Sequence, residues 1–326
     1  MSIQIFIPTF NRSEKLARAI RSALAQTVRD LEVVVLDNHS EDDTPAVVMA
    51  LKAADPRINY IRRERNLGIF ANFNSIRTLV TADFFSVLTD DDEYQPGFLE
   101  AALACFGTEP RARFVACNAP TLLHGELVKS QLDGWRAGFY PANTTAFKCI
   151  SGKYPLITNC LLRRETAADF VFHEDLGNVA DGMLLTCLFS KYDACISKVI
   201  TGHWNNDGEN ASSLQRADPV KLVNTAFRES GHYRAFCREN GIFMRGRLLY
   251  WLKELLTILA ASDRSSFAAV RDGSMMKDVL SPATIAALWL FHQTKVIRLF
   301  LSGLALFRRL GQSWVAWHEK SGLRHS

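Results

Sequence analysis

The segment LEVVVLDNHSEDDT, residues 31–44, decides the fold. Its first part, Leu31–Leu36, is apolar and rich in valine, which is typical of a strand buried on both faces of a parallel sheet. Polar residues begin at once with Asp37 and Asn38. Pro45 then favours the first turn of a helix. The segment therefore predicts a strand, a polar loop at the carboxyl end of that strand, and a helix.

The same succession continues on both sides of this segment. Ile3–Ile7 is a short apolar run, and Ser13–Gln26 carries apolar residues at helical spacing. Further strands are predicted at Ile58–Arg62 and Phe84–Leu88, and a helix is predicted at Phe70–Val80. Because strands and helices alternate, the sequence predicts an α/β fold with a doubly wound, mostly parallel sheet flanked by helices.

The composition is that of a folded globular protein. The chain has 326 residues, of which 48% are hydrophobic and 22% are charged. These values exclude a disordered chain, a collagen-like chain and a small disulfide scaffold. At about 150 residues per domain, the length predicts roughly two domains, or one large domain with an appendage. The seven cysteines contain no CxxC pair, which predicts reduced, mostly buried thiols in a cytoplasmic protein.

The charge is unevenly distributed along the chain. Residues 1–212 contain 21 basic and 26 acidic side chains, whereas residues 213–326 contain 17 basic and 8 acidic ones. This asymmetry predicts an α/β domain over 1–212 and a separate basic, α-helical region over 213–326. The net charge of the whole chain is only +4, so we expect no nucleic-acid partner.

Short segments that contain polar residues follow the first, second and fourth predicted strands. They are Phe10 with Asn11, Asp37 with Asn38, and Asp90 with Asp91. In open α/β sheets, ligands bind outside the carboxyl ends of the strands at the point where the strand order reverses. We therefore expect these residues to meet in one crevice. No GxGxxG follows the first strand, so the dinucleotide-binding fingerprint is absent.

Three consecutive carboxylates, Asp90, Asp91 and Asp92, are the strongest chemical signal. They repel one another unless they are solvated or hold a cation, and carboxylate oxygens suit Mg²⁺ and Mn²⁺. A solvated acidic turn is the alternative. Asp37 could accept hydrogen bonds from a ribose or a base, although aspartate is also a common turn residue.

In combination, these residues resemble a known family. Ile7–Arg12, Glu32–Thr44, Asn66–Gly68 and Thr89–Asp92 with Pro96 occur in the order and at the spacing of a family two glycosyltransferase of the bacterial polysaccharide-biosynthesis type. The resemblance covers about residues 3–212. It implies a GT-A fold and transfer of a sugar from a nucleotide-sugar donor, often UDP-linked, with inversion at the anomeric carbon. It also implies a glycan or lipid-linked glycan acceptor.

The resemblance implies roles for particular residues. Those expected to bind the nucleotide are Pro8, Thr9, Phe10, Arg12, Asp37, Asn66 and Asp90. Those expected to hold a Mn²⁺ or Mg²⁺ cofactor are Asp91, as the direct ligand, with Asp92 and His203. The acidic motif of the family is usually Asp-x-Asp, and here Thr89 occupies its first position, which shifts the aspartate that binds the metal.

The resemblance further implies a general base at the start of a helix about ninety residues after the acidic motif. Asp181 matches that position and begins a predicted helix that runs to Phe189. A helix N-terminus favours the ionised carboxylate that a base requires. An ordinary helix cap is the alternative explanation for this residue, and Asp175 and Glu174 are alternative bases.

The basic C-terminal region lies outside the shared motifs. Phe243–Leu259 is amphipathic and is expected to pack on the core or on a partner subunit of a homo-oligomer. From Lys295 to the end there are six basic residues and one acidic residue among Leu, Phe and Trp. This pattern predicts contact with a membrane surface through 284–326, hence a peripheral protein at the inner face of the cell membrane. The longest uncharged run, Val279–Thr294, is too short and too polar for a membrane span.

Two other functions fit parts of the sequence. A nucleotidyltransferase also binds its metal through carboxylates, but it usually needs a glycine-rich basic loop after the first strand, and that loop is absent. A catalytically weak GT-A scaffold, or a glycan-binding assembly subunit, would need none of the catalytic groups. The presence of Asp37, Asp91 and Asp181 favours the enzyme.

Overall fold

The computed structural model describes residues 1–123, 126–130, 132–150, 154–206, 219–242 and 280. The chain divides into two compact units, one formed by residues 1–216 with 228–253 and the other by 217–227 with 254–326. The predicted boundary at 212, the predicted helix at 243–259 and the predicted membrane contact at 284–326 lie outside the described residues.

The first unit alternates strands and helices, as predicted. Its strands are β1 Ile3–Thr9, β2 Leu31–Asp37, β3 Ile58–Arg62, β4 Phe84–Val87, β5 Glu93–Tyr94, β6 Phe114–Asn118, β7 Pro120–Leu123, β8 Glu126–Ser130, β9 Gly138–Tyr140, β10 Cys160–Arg163, β11 Ala194–Ile200 and β12 Gly202–Asn206. The helices are α1 Ser13–Leu24, α2 Thr44–Ala54, α3 Ile69–Asn74, α4 Ile76–Leu79, α5 Phe98–Thr108, α6 Ala146–Ile150, α7 Ala180–Lys191 and α8 Pro219–Glu239. Short 3-10 turns occur at Ile157–Asn159, Arg164–Asp169 and Glu174–Val179.

The main sheet has eight strands in the order β3-β2-β1-β4-β10-β6-β11-β9. Strands β1 to β4 are parallel to one another, whereas β10 is antiparallel to both of its neighbours and β9 is antiparallel to β11. The chain therefore moves outward from β1 through β2 and β3 and then returns to the other side of β1 with β4. The strand order reverses between β1 and β4, which is where such sheets bind ligands. The predicted mostly parallel α/β sheet is confirmed.

Both faces of the sheet are covered, which explains the uninterrupted apolar runs. In β1, Ile5 and Ile7 belong to a core that includes α1 and α5, whereas Phe6 between them belongs to the core on the other face, which includes α7. Successive side chains of a strand point to opposite faces, so a strand covered on both sides needs apolar residues at every position.

The helix predicted near 70–80 is two short helices that break at Ser75. The side-chain amides of Asn72 and Asn74, both in α3, bond to backbone groups elsewhere in the chain. Asn72 donates to the carbonyl of Leu36 at 2.8 Å. Asn74 donates to the carbonyl of Phe172 and accepts from its N–H, at 2.9 and 2.8 Å. The bonds of Asn74 attach α3 to the second half of the unit.

The last described helix, α8, belongs to the first unit from residue 228 onward. Tyr233 and Cys237 of this helix are buried, and the hydroxyls of Tyr233 and Ser190 lie 2.8 Å apart. Within the part of the chain that the structure describes, no helix is both long enough and apolar enough to span a membrane.

Candidate active site

The ends of β1 and β4 meet at the point where the strand order reverses. The register pairs Phe6 with Val87, so the residues that follow these strands are neighbours. The hydroxyl of Thr9 donates to Oδ2 of Asp90 at 2.8 Å, and both residues are buried. Two polar clusters that are far apart in the sequence therefore form one site.

Arg12 connects this pair to the next carboxylate. One of its terminal nitrogens lies 3.0 Å from Oδ1 of Asp90 and 3.1 Å from Oδ2 of Asp91. The Asp91 side chain is 37% exposed, whereas Asp90 is buried. Burial raises the pKa of Asp90, and the positive charge of Arg12 opposes that rise. Two carboxylates thus converge on one cationic nitrogen, and one of them reaches solvent.

Asp92 is buried, as Asp90 is. It accepts hydrogen bonds from the hydroxyls of Thr89, at 2.7 Å, and of Thr158. Burial, together with the charges of Asp91 and Asp90, raises the pKa of Asp92 to about 7, although both hydrogen bonds oppose the rise. A bound cation would stabilise the ionised form.

The chemistry of this cluster fits Mn²⁺ or Mg²⁺. The metal-ligating atoms of Asp90, Asp91 and Asp92, which follow β4, are all carboxylate oxygens, and these are the ligands that both cations prefer. The guanidinium nitrogen of Arg12 already lies where two of those oxygens converge, so the site accommodates positive charge.

Asp37 is the last residue of β2 and lies opposite Thr9 of β1. It is fully buried and accepts hydrogen bonds from the hydroxyl of Tyr60 at 2.6 Å and from the N–H of Ser40 at 2.8 Å. The Nε of Arg62 lies 3.5 Å from its Oδ2. Three neighbours therefore hold one carboxylate in a fixed orientation.

Asn66 lies on the same edge of the sheet, after β3. Its Oδ1 accepts from the amide of Asn38 and from the N–H of Gly68, both at 2.8 Å. Oδ1 of Asn38 accepts in turn from the N–H of Leu67 at 2.8 Å. Gly68 has φ of +83°, which favours glycine at this turn. The loops that follow β2 and β3 are thereby joined.

The loop after β1 is held against the loop after β2. Asn11 has φ of +54°; its N–H donates to the hydroxyl of Ser40 at 2.9 Å, and its Oδ1 accepts from the N–H of Glu41 at 2.8 Å. The adjacent Phe10 is 41% exposed. Pro8 lies within β1 opposite Leu36 and is buried. Phe10 therefore presents a free ring face at the edge of the site, whereas Pro8 supports the strand beneath it.

Asp181 lies in the first turn of α7. Its Oδ1 accepts from the N–H of Gly182 at 2.7 Å, and part of its side chain reaches solvent. Desolvation by the surrounding protein raises the pKa of Asp181 to about 6, against the effect of backbone hydrogen bonds. The carboxylate is thus ionised near neutral pH but more basic than an ordinary aspartate.

Tyr154 is a neighbour of Asp181 that sequence reasoning missed. Its ring packs on Gly182, where an added Cβ would lie 2.7 Å from a ring carbon. The negative charge of Asp181 and burial raise the pKa of Tyr154. Thr158, four residues later, bonds to Asp92, so one short segment holds a neighbour of each carboxylate. No sequence pattern marks Tyr154 or Thr158, because they lie in an irregular connection.

The remaining predicted residues lie at other positions. Asp175, an alternative base, bonds to His232 at 2.9 Å, and Glu174 is exposed. The backbone of His203 in β12 pairs with Glu93 of β5, beside the acidic cluster. The side chain of His203 lies outside the described residues.

A family model described as Glycosyl transferase family 2 matches residues 4–167. The chain belongs to glycosyl transferase family 2. Among characterised relatives, it is 36% identical over 102 residues to the GalNAc(5)-diNAcBac-PP-undecaprenol beta-1,3-glucosyltransferase of Campylobacter jejuni. That match covers 31% of this chain and 33% of the relative, so it spans about a third of either protein.

Solved structures resemble this family 2 chain over most of its length. TarS 1-349 of S. aureus, in complex with UDP-GlcNAc, aligns over 90% of this chain and 79% of its own, with a TM-score of 0.58 and 14% identity. The mannosyltransferase PcManGT of Pyrobaculum calidifontis, in complex with GDP-Man and Mn²⁺, aligns over 92% and 83%, with a TM-score of 0.57 and 15% identity. These similarities confirm the predicted GT-A fold.

Proposed function

We propose that this chain transfers a sugar from a UDP-linked donor to a glycan or lipid-linked glycan acceptor, with inversion at the anomeric carbon. The observation that carries the proposal is the convergence of Asp90 and Asp91 on one cationic nitrogen where the strand order reverses. Membership of glycosyl transferase family 2 supports it.

The donor would bind along the edge formed by the loops after β1, β2 and β3. Asp37 is fixed by its neighbours, so it would accept hydrogen bonds from the base with little loss of entropy. The exposed ring of Phe10 would stack on the base, and Thr9 and Asn66 would border it. Asp90 would contact the ribose, because Thr9 and Arg12 hold it at the adjoining strand end.

The diphosphate would lie over the acidic cluster. Asp91 would hold Mn²⁺ or Mg²⁺ directly, with Asp92 and His203 as further ligands. The ion would supply Lewis-acid stabilisation of the negative charge that develops on the leaving diphosphate. Arg12 is 48% exposed, so it can turn from the carboxylates towards a phosphate.

Asp181 would act as the general base. The acceptor hydroxyl attacks the anomeric carbon from the face opposite the diphosphate, which inverts that centre. A new C–O bond forms, the bond to the diphosphate breaks, and the hydroxyl proton passes to a carboxylate oxygen of Asp181. A pKa of about 6 suits this task, because the group is ionised at neutral pH and still basic enough to take the proton.

The setting would be the inner face of a bacterial cell membrane. A relative named as acting on a PP-undecaprenol glycan supports a lipid-linked acceptor. The excess of basic residues in 284–326 supports contact with anionic lipid, although the same residues could serve contact between copies of the chain.

A calorimetric titration with UDP-, GDP- and TDP-sugars, each with Mn²⁺ or Mg²⁺, tests the proposed function. We expect at least one UDP-sugar to bind in the presence of metal and to lose affinity in EDTA. Asp91→Ala should weaken that binding, whereas Asp181→Asn should leave it unchanged. If no nucleotide sugar binds with either metal, the proposal is wrong.

Co-sedimentation of the full chain with anionic vesicles tests the membrane contact. In one variant, four basic residues of the tail become glutamine: Lys295, Arg298, Arg308 and Arg309. In the matched control, the same change is made at four exposed basic residues of the catalytic unit: Lys15, Arg21, Lys52 and Arg77. We expect only the tail variant to lose binding. Equal binding by both variants, or no binding by the wild type, would contradict the membrane contact.

A further inference from the structure

A second group of metal-ligating side chains lies apart from the acidic cluster. Asp175 is in the 3-10 turn that precedes α7, His173 comes directly before that turn, and His232 is on α8. The Nε2 of His232 lies 2.9 and 3.0 Å from the two carboxylate oxygens of Asp175. One ligand atom from each of the three residues lies within 4.8 Å of the others.

The two imidazoles are stacked. The ring centroids of His173 and His232 are 3.8 Å apart, and the ring planes differ by 21°. The side chains of His232 and Asp175 are 29% and 44% exposed, so an ion can reach them from solvent.

We propose that His173, Asp175 and His232 form a binding site for one Zn²⁺ ion. Two imidazole nitrogens and one carboxylate oxygen are a donor set typical of zinc and unlike the all-carboxylate cluster at Asp90–Asp92, which suits Mn²⁺ or Mg²⁺. The chain would then bind two different cations at separate places. This site does not depend on the proposed glycosyl transfer.

The geometry requires only local movement. Ligands of one tetrahedral zinc ion lie about 3.3 Å apart, because each bond is about 2.0–2.1 Å long. The pair formed by Asp175 and His232 is already within that distance. Stacked rings direct their nitrogens side by side, so the ring of His173 must turn about its side-chain bonds towards the shared point. Its place at the start of a turn allows this.

The ion would attach α8 to the segment that carries Asp181. Arg228 of α8 already donates to the backbone carbonyl of Asp175 at 3.0 Å. Asp175 and Asp181 are separated by a single 3-10 turn. Zinc would therefore add a cross-link between two parts of the unit that are distant in sequence. We expect it to raise the melting temperature of the protein.

Calorimetric titration of the metal-free full chain with Zn²⁺, at saturating Mg²⁺, tests the site. We expect His173→Gln, Asp175→Asn and His232→Gln each to weaken one high-affinity zinc site at least tenfold. Glu174→Gln, which changes an exposed carboxylate beside Asp175, is the matched control and should bind zinc as the wild type does. Co²⁺ gives a second readout, because its visible absorption reports nitrogen ligation.

Equal zinc affinity in the wild type and in His232→Gln would overturn the proposal. His232 and Asp175 would then form a hydrogen-bonded pair that binds no zinc. If circular dichroism shows that His232→Gln does not fold, the outcome is decided by His173→Gln, and unchanged affinity and Co²⁺ spectrum there overturn the proposal. Failure of nucleotide-sugar binding would not change these zinc results, so the two proposals fail separately.

Discussion

Asp181→Asn is the most informative single substitution in this chain. The amide has nearly the same shape as the carboxylate, and its oxygen can still accept from the N–H of Gly182. The fold and the donor site should therefore persist, while the ability to take a proton is lost. A positioned general base contributes about 10²–10⁴-fold, so we expect kcat to fall by that factor with donor affinity changed less than about threefold.

The pH dependence adds a second signature. With a pKa of about 6, about one tenth of Asp181 is ionised at pH 5 and about nine tenths at pH 7, so the wild-type rate should be about tenfold lower at pH 5 than at pH 7. An aspartate with the ordinary value of 3.8 would be more than about nine-tenths ionised at both pH values, and the rate would barely change.

The assay is the initial rate of UDP release from the UDP-sugar, with water as the acceptor and Mn²⁺ saturating so that Asp92 remains ionised. Circular dichroism at each pH controls for unfolding. The residual rate of Asp181→Asn should not show the decrease between pH 7 and pH 5 that we expect in the wild type. Rates at pH 5 and pH 7 within about twofold of each other, or more than about a tenth of the activity in Asp181→Asn, would refute the assignment of the base.

Three further predictions concern the donor site. Asp91→Ala should abolish UDP release while leaving the melting temperature almost unchanged, because the side chain is partly exposed; full activity in EDTA would remove the metal role. Asp92→Asn should stabilise the metal-free chain at pH 7.5. The folded-state pKa of this acid is raised from 3.8 to about 7. Ionised Asp92 therefore destabilises the fold increasingly as the pH rises from about 4 to 7, by up to about 4 kcal/mol above pH 7. The gain in melting temperature should disappear as the pH falls towards 4, and an equal gain at both pH values would contradict the reasoning. Asp37→Asn should raise the dissociation constant of the donor at least about tenfold, or about 1.4 kcal/mol, whereas the control Tyr60→Phe should change it much less.

Much of the sheet could be predicted from local pattern. Runs such as Leu31–Leu36 are apolar at every position because both faces of the strand are covered, and polar residues begin where the strand leaves the core. The meeting of Thr9 with Asp90 also follows from the pattern, since parallel neighbouring strands place their carboxyl ends together. Strand alternation therefore locates the candidate site before any side chain is placed.

Other features depend on contacts between distant segments, which no local pattern encodes. For example, the short helix α3 is held by Asn72 and Asn74, which bond to backbone groups 36 and 98 residues away. Tyr154 packs on Gly182, next to Asp181, and Thr158 bonds to Asp92, but the segment that holds Tyr154 and Thr158 has no periodic pattern in its sequence. The tertiary fold alone brings these residues to the site.

The role of Arg12 could be predicted only in part. The resemblance places it with the nucleotide, whereas the structure shows its guanidinium between Asp90 and Asp91. The positive charge of Arg12 and its place near the acidic cluster could be predicted. Its ion pairs with Asp90 and Asp91 depend on the side-chain conformations that minimise repulsion between the two carboxylates.

Release of nucleoside diphosphate from a panel of nucleotide sugars tests the central claim most directly. With Mn²⁺ present, we predict that the wild-type chain releases UDP from at least one UDP-sugar, that EDTA stops the release, and that Asp181→Asn binds the donor but releases almost none. No release from any nucleotide sugar, or unchanged release in EDTA and in Asp181→Asn, would contradict a metal-assisted glycosyltransferase with Asp181 as its base.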